Sequence, residues 1–172
     1  MVHTAYKKID LQFSIHTEWI DITLQIGIRK DFYTRSSPGQ VILFCPPGTD
    51  FYQPERQQWL YKVVERIIRQ QATLLLPARL QQLSLKHNLP FKQVKINVSK
   101  GRWGSCSSHK NINLSCYLLM LPPHLVEFVM LHELSHTIEM NHGPAFHALL
   151  NKLTDGQEKS LQKELRTFTM SS

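Results

Sequence analysis

The chain of 172 residues has few cysteines and no long apolar run. Its cysteines, Cys45, Cys106 and Cys116, are odd in number and include no Cys-x-x-Cys pair, which argues against both a disulfide framework and a cysteine-based zinc site. A run of 18 apolar residues is also missing, which excludes a typical membrane-spanning helix. The sequence shows no signal-peptide pattern, and we therefore expect a soluble cytoplasmic protein without membrane contact.

Acidic residues are scarce in the middle of the chain. Between residues 56 and 110, Glu65 is the only acid, whereas eleven bases occur there: Arg56, Lys62, Arg66, Arg69, Arg79, Lys86, Lys92, Lys95, Lys100, Arg102 and Lys110. We call these eleven residues the basic belt. The belt indicates either a surface that attracts nucleic acid, nucleotide phosphates or acidic peptides, or a solvated helix face that keeps the protein in solution.

The first third of the chain has the pattern of strands. Apolar and polar residues alternate over residues 9–15 and 19–28, and residues 41–44 form a short apolar run after a turn. We expect residues 1–53 to form an N-terminal strand subdomain, folded as a small antiparallel meander. The apolar content of 42% is sufficient for one compact core that includes the remaining residues, 54–172.

From Pro54 onward the apolar residues have helical spacing. They predict a long amphipathic helix that carries much of the basic belt, with a kink or split at Pro77 and an end near residue 88. Strands are predicted at residues 94–98 and 112–115, and helices at residues 123–136, 144–153 and 157–168, with the last four residues frayed. The predicted fold class is therefore α+β.

The segment from Leu131 to His147 contains the motif His-Glu-x-x-His at positions 132, 133 and 136. Residues four apart on a helix lie about 5–6 Å from each other on one face, so the imidazoles of His132 and His136 are suited to bind one metal ion. Glu133 then reaches a metal-bound water as general base. Neutral imidazoles favour zinc. The alternative is an amphipathic helix with two buried histidines, whose polar groups need other compensation.

A catalytic zinc ion usually has three protein ligands and one open position. We select His142 as the third ligand, because the chain can turn at residues 141–144 and bring this side chain back to the ion. The spacing is that of the metzincin motif His-Glu-x-x-His-x-x-Gly-x-x-His, although Glu139 occupies the glycine position. Three other side chains remain alternatives: His147, Glu158 and Glu164.

The loop Gly-Arg-Trp-Gly-Ser-Cys-Ser at residues 101–107 is the second informative stretch. It combines glycines for tight backbone geometry with a guanidinium that binds carboxylate or phosphate in a bidentate manner and with an indole. Arg102 and Trp103, together with Asn113 on the following strand, are candidate substrate-binding residues. Candidates for stabilising an oxyanion are Arg102, Tyr117 and His124.

This loop and the later histidine motif together resemble the YgjP-like family of metal-dependent hydrolases, relatives of the SprT-like and WLM metallopeptidases. The pattern of its members resembles four segments in this order: Arg-Trp-Gly-Ser-Cys-Ser, a strand with Ile-x-Leu/Asn, a helix that begins with Pro and contains His-Glu-Leu-x-His, and Asn-His-Ser-x-x-Phe-Trp. The matching segments are residues 102–107, 112–115, 122–136 and 141–147, within a resemblance that extends from about residue 20 to 155. Gly143 replaces the common Ser and His147 the common Trp, so we expect a different pocket wall beyond the third ligand.

The resemblance implies a zincin-like α+β fold, a single zinc ion bound by His132, His136 and His142, and Glu133 as general base. The expected activity is that of a zinc metallopeptidase acting on a protein or peptide, with strand 112–115 as the sheet edge along the cleft. Two alternatives remain. One is a zinc-dependent hydrolase of nucleoside triphosphates that binds phosphates through Arg102 and the basic belt. The other is a nucleic-acid-associated binding module with structural zinc, although a structural site has no use for a general base.

Overall fold

The computed structural model describes residues 8–168, which form strands and helices around one apolar core. In chain order the elements are β1 (Ser14–His16), β2 (Asp21–Ile26), β3 (Tyr33–Ser37), β4 (Gln40–Cys45), α1 (Pro54–His87), β5 (Gln93–Asn97), β6 (Gly104–Cys106), β7 (Asn111–Ser115), α2 (Pro123–Ser135), α3 (Pro144–Leu153) and α4 (Glu158–Thr167). A 3-10 helix, Cys116–Met120, joins β7 to α2. The predicted α+β class is confirmed. The predicted fraying of residues 169–172 lies outside the described residues.

The first sheet has the strand order β1-β2-β4-β3. Antiparallel pairs join β1 to β2 and β3 to β4, whereas β2 and β4 are parallel. The predicted antiparallel meander is therefore wrong. β3 contains no buried residue, while four of the six residues of β4 are buried. A polar strand is stable at the edge of a sheet, where one side faces water, and an apolar strand is stable in the interior.

Two glutamine side chains attach the N-terminal region to α1. The buried Gln71 accepts a hydrogen bond from the backbone N–H of Gly39 (2.8 Å) and donates one to Ser36 Oγ (3.1 Å), which fixes the β3–β4 turn on the helix. Gln57 accepts from the N–H of Ile9 (2.9 Å) and donates to its carbonyl (2.8 Å). These side-chain bonds replace the strand pairing predicted around residue 9, so that the strand begins only at Ser14.

The long helix predicted from Pro54 is confirmed, but it is not split at Pro77. A proline inside a helix costs about 3 kcal/mol relative to alanine. Leu76 and Leu80, on either side of it, are completely buried. Packing of this apolar face on both sides of the proline keeps α1 continuous as far as His87, and Asn88 in the left-handed conformation (φ 52°) ends it.

The second sheet has the order β5-β7-β6, with β5 parallel and β6 antiparallel to β7. Two predictions are wrong here. Residues 104–106, predicted as part of a loop, form an edge strand, and β7, predicted as the edge along the cleft, is central. Ile112 and Leu114 of β7 are buried, which suits a central position, whereas the Gly-Ser-Cys sequence of β6 lacks the apolar alternation that predicts a strand.

α2 lies in the interior, and nine of its thirteen residues are buried. It contacts α1, β6, α3 and α4. The predicted helices at residues 123–136, 144–153 and 157–168 are confirmed, with His136 as the C-terminal cap of α2. This arrangement places the end of α2 between the edge of the second sheet and the two C-terminal helices.

None of the helices within residues 8–168 has the length and apolarity needed to cross a membrane. The buried side chains form one continuous cluster that extends from Ile9 to Leu165. The division into residues 1–53 and 54–172 remains a prediction.

Candidate active site

Three imidazoles converge where α2 ends and α3 begins. The Nε2 atom of His142 lies 2.9 Å from that of His136 and 3.3 Å from that of His132. All three possible ligand atoms lie within 4.8 Å of one another. Ligands at about 2.0–2.1 Å from a tetrahedral zinc ion are roughly 3.4 Å apart, so the two distances from His142 Nε2 are close to those between zinc ligands. We call these residues the histidine triad.

The chain brings His142 back through a turn without left-handed residues. After α2 ends at Ser135, the N–H groups of Thr137 and Ile138 bond the carbonyls three residues before them, at 3.0 and 3.1 Å. No described residue between His136 and Pro144 has a positive φ. Glu139, at the position of the metzincin glycine, accepts a hydrogen bond from Nδ1 of His136 through its carbonyl oxygen (3.0 Å). This bond leaves the Nε2 lone pair of His136 free to bind a metal ion.

Phe146 forms an apolar support beneath the triad and was not identified from the sequence. Its fully buried ring stacks on His136, with centroids 4.4 Å apart and an angle of 20°. It meets His132 and His142 edge-on, with both centroids at 4.9 Å. Contact with one rigid ring restricts the orientation of all three imidazoles. The spacing of Phe146 from the three histidines does not follow from a helical period, so the sequence pattern alone does not reveal this role.

Glu133 lies beside the triad and is only 6% exposed. Burial raises the pKa of its carboxyl group to about 7, an effect that the positive charge of Arg102 partly offsets. The backbone of Gly104 in β6 runs against this side chain, since a Cβ atom built on Gly104 would lie 3.0 Å from Glu133 Cγ. A carboxyl group with a pKa near 7 is suited to accept and return a proton at neutral pH.

The environment also favours the neutral form of two triad histidines. Burial, together with the neighbouring imidazoles His136, His142 and His147, lowers the pKa of His132 to about 4. Burial likewise lowers the pKa of His136, although its hydrogen bond to the Glu139 carbonyl opposes this effect. Neutral imidazoles are the form that binds metal ions. The donor set therefore fits a divalent metal ion such as zinc.

Two adjoining cavities open beside the triad. The first, of about 360 Å³, is lined by the triad itself, Arg102, Gly104, Ser105, Cys106, Glu133 and Met140. The second, of about 240 Å³, shares Arg102, Gly104, His132 and Glu133 with the first and is otherwise lined by Trp103, Phe128, Val129, Gln162 and Leu165. A third cavity, also about 360 Å³, is formed by other residues, among them Phe13, Glu65, Lys100 and Tyr117, and contains no histidine. The chemistry therefore belongs to the first two cavities.

Comparison with known proteins gives one decisive result. The family model for the YgjP-like metallopeptidase domain matches residues 23–168. The chain belongs to the YgjP-like family. Two solved structures are similar: the metallopeptidase zymogen abylysin of Pyrococcus abyssi (19% identity, TM-score 0.49, covering 54% of this chain and 93% of that one) and the metallopeptidase zymogen jannalysin of Methanocaldococcus jannaschii (23% identity, TM-score 0.40, covering 50% and 92%). No curated protein matches significantly.

Membership of the YgjP-like family confirms the predicted enzyme class. The chain is a metallohydrolase with a metallopeptidase domain, and an enzyme of this class acts on proteins or peptides with the help of a metal ion. The matched range includes the whole histidine motif, the loop at residues 101–107 and the four helices from residue 54 onward.

The residues predicted to bind substrate in this YgjP-like chain are only partly brought together. Arg102 lines both cavities beside the triad, and Trp103 lines the second. Asn113 lines neither, and its amide donates a long hydrogen bond (3.5 Å) to Ser105 Oγ on β6. The other oxyanion candidates are engaged elsewhere: Tyr117 donates to Glu65 (2.6 Å), and His124 is bonded to Glu164 (2.7 Å).

The alternative third ligands form pairs outside the triad. His147 is hydrogen-bonded through Nδ1 to Glu158, whose side chain is 14% exposed. Glu164 is bonded to His124. None of the three alternatives belongs to the described group of side chains that could hold a metal ion, which consists of the histidine triad. The structure therefore places His142, and not these residues, beside His132 and His136.

Several residues of the basic belt have structural partners. Arg79 forms an ion pair with Glu127 on α2, and Lys100 lies 3.9 Å from Glu65. Arg56 lies over the rings of Phe32 and Trp59. Arg102 is the one belt member that lines the two cavities beside the triad. These four members of the belt therefore do not share one surface directed at the cleft.

Proposed function

We propose that this chain is a zinc-dependent peptidase of zincin-like fold, with His132, His136 and His142 as zinc ligands and Glu133 as general base. The observation that carries the proposal is the convergence of the Nε2 atoms of the histidine triad beside Glu133, a buried carboxylate on α2. A structural zinc site normally has four protein ligands. Three imidazoles leave one position open, as catalysis requires.

The surroundings of the triad support a single zinc ion per chain. The three imidazoles offer nitrogen ligands, burial favours the neutral form of His132 and His136, and the Glu139 carbonyl orients His136. When bound, zinc supplies Lewis-acid chemistry, which polarises a carbonyl group and lowers the pKa of water to about 7. A calcium or magnesium ion prefers oxygen ligands, which this group does not provide.

Glu133 performs the proton transfers in the proposed reaction. Its carboxylate takes a proton from the attacking water and returns one to the amine nitrogen as the peptide bond breaks. The pKa of about 7 allows both transfers at neutral pH. Arg102 lines the same cavity, and in this proposal its guanidinium donates hydrogen bonds to the carbonyl oxygen as negative charge develops there.

β6 takes the role in substrate binding that the sequence analysis gave to β7. Gly104, Ser105 and Cys106 all line the triad cavity. Among residues 8–168, β6 pairs only with β7, so the other edge of β6 has no strand partner. An extended peptide that pairs with this edge by strand addition lies next to Glu133 and the triad.

Hydrolysis of nucleoside triphosphates is the alternative function, and the presence of Arg102 in both cavities is the observation that favours it. A guanidinium binds a phosphate group as well as a carbonyl oxygen. Of the eleven belt residues, only Arg102 lines the two cavities beside the triad, so a polyphosphate bound there would meet a single belt cation in the lining. The peptidase function is therefore the better supported of the two.

The test compares wild type with Glu133→Gln, because glutamine keeps the volume of the side chain and removes the base. Both proteins are loaded with zinc and incubated with denatured proteins, peptides and nucleoside triphosphates. We expect wild type to cleave the peptides and Glu133→Gln to lose about 10²-fold or more of this activity while retaining one zinc per chain. Glu55→Gln, which makes the same change at an exposed position on α1, is the matched control.

Three results would contradict the proposal. Peptide hydrolysis at the wild-type rate by Glu133→Gln would remove Glu133 from the reaction. Hydrolysis of a nucleoside triphosphate without any peptide cleavage would establish the alternative function. A preference for another metal ion over zinc, measured by activity after metal exchange, would contradict the assignment of the ion.

A further inference from the structure

The second cavity beside the triad lies between α2, α4 and the loop before β6. It shares Arg102, Gly104, His132 and Glu133 with the triad cavity, so the two cavities adjoin at these residues. α4 contributes Gln162 and Leu165. When the scissile bond of a substrate lies at Glu133, one of the two substrate residues that flank this bond therefore lies next to this cavity.

The walls of this cavity are mainly apolar. Trp103 is half-buried, and the other three apolar lining residues, Phe128, Val129 and Leu165, are buried. The cavity volume of about 240 Å³ is below the roughly 300–1,000 Å³ of typical small-molecule sites. The cavity is therefore better suited to one side chain than to a whole ligand. Gln162 is a half-buried, uncharged polar residue of the lining.

We propose that this cavity is the specificity pocket of the enzyme and binds a large apolar side chain, such as Leu, Met or Phe, of the residue adjacent to the cleaved bond. This inference rests on the proposed peptidase function. Removal of apolar surface from water favours such a side chain, and hydrophobic pockets discriminate by roughly 10–200-fold per methylene group. An acidic side chain paired with Arg102 is the competing occupant. Arg102 is exposed and also lies beside Glu133, so its charge is already partly balanced.

The first experiment maps cleavage sites in a peptide library with the zinc-loaded enzyme. We expect apolar residues to be enriched at one position next to the cleaved bond. Gln162→Glu adds a negative charge to the pocket and should shift that position toward Lys and Arg by about tenfold or more. Ser160→Glu adds the same charge to α4 at an exposed residue that does not line the pocket, and should leave the preference unchanged.

Cleavage without preference at either adjacent position would overturn the pocket assignment and leave the peptidase function intact. The same holds for an unchanged preference in Gln162→Glu when circular dichroism shows that this variant is folded. A wild-type preference for Asp or Glu that Gln162→Glu abolishes would assign the pocket to acidic side chains. Each of these results differs from failure of the proposed function, in which wild type cleaves no peptide at all.

The second experiment measures binding without hydrolysis. Zinc-loaded Glu133→Gln is titrated with acetylated and amidated peptides Ala-Ala-X-Ala-Ala, where X is Leu, Phe, Ala, Lys or Glu. Occupation of the pocket should change the fluorescence of Trp103 for Leu and Phe at concentrations at which Ala, Lys and Glu have no effect. Trp103→Phe supplies the background from Trp19 and Trp59, and it should remove the change. A response to Glu alone, or an equal response to all five peptides, would overturn the inference.

Discussion

Gly104 controls how closely the backbone of β6 approaches the general base. A Cβ atom at this position would lie 3.0 Å from Glu133 Cγ and 3.3 Å from the carbonyl oxygen of Asn113. Gly104→Ala should therefore displace the carboxylate. We expect kcat to fall about tenfold or more, because a displacement of about 1 Å can reduce catalysis by about 10²-fold. Zinc content should remain that of wild type, and steady-state kinetics with metal analysis checks both expectations.

The same loop supplies a matched control for this substitution. A Cβ atom on Gly101 meets no atom within 4 Å, so Gly101→Ala should retain wild-type kcat and thermal stability. Wild-type turnover in Gly104→Ala would show that the position of Glu133 does not depend on this contact.

Cys106 is the thiol that reports on the cleft. It lines the triad cavity, whereas Cys45 and Cys116 are completely buried. Burial raises the pKa of Cys106 to about 11, and the neighbouring Glu133 carboxylate contributes to the increase. Thiolate is the reactive form, and its fraction at pH 8 is about a hundredfold below that of a thiol with the ordinary pKa of 9.0. The higher basicity of this thiolate recovers about tenfold in reactivity.

We therefore expect Cys106 to be alkylated first, roughly tenfold more slowly than an exposed cysteine peptide at pH 8, and the rate to increase up to about pH 11. Iodoacetamide labelling followed by mass spectrometry locates the modified residue and gives the rate. Earlier modification of Cys45 or Cys116 in the folded protein would contradict the burial that the structure assigns to them.

At the scale of secondary structure elements, the connection between α2 and α3 determines which side chain completes the metal site. The turn after Ser135 directs His142 toward the other two imidazoles, whereas His147 and Glu158 bond to each other across α3 and α4. His142→Ala should lose most bound zinc on dialysis. His147→Ala, Glu158→Ala and Glu164→Ala should each keep one zinc per chain, as metal analysis of the dialysed proteins can determine.

The three alanine variants on α3 and α4 serve as controls for one another, because each removes one partner of a hydrogen-bonded pair. Full zinc occupancy in His142→Ala, together with loss in any one of them, would transfer the third ligand to that residue. A similar partial loss of zinc in all four alanine variants would indicate that α3 and α4 together position the ligands and that no single one of these side chains is the third ligand.

The charge distribution of the whole molecule leads to a prediction about salt. Several belt residues pair with other parts of the fold, and only Arg102 lines the cavities beside the triad. The kcat/KM for a neutral peptide should therefore change by less than about twofold between 50 and 200 mM salt, since exposed charges are screened over a Debye length of about 10 Å at 0.1 M. A steep decrease, accompanied by a higher KM for nucleotides in Arg102→Lys, would instead support a polyanionic substrate.

The sequence by itself determined the features that depend on neighbouring residues along the chain. The spacing of His132, Glu133 and His136 follows from the helical period, and the apolar periodicity from Pro54 onward predicted α1 and the three later helices. The return of His142 was also predicted from its spacing, although the turn was expected at residues 141–144 and the structure turns the chain directly after Ser135. These are local properties, because a helix forms its hydrogen bonds between residues four positions apart.

Only the tertiary structure decided which distant segments meet. The parallel pairing of β2 with β4, the central position of β7 and the edge position of β6 depend on which strand buries both faces, and no local pattern specifies a strand's neighbour. The same reason explains why Phe146 beneath the imidazoles, Gly104 against Glu133, and Gln162 and Leu165 in the second cavity were not predicted. Each acts through a partner far away in sequence, which the chain reaches only when the apolar surfaces of the sheet and helices pack together.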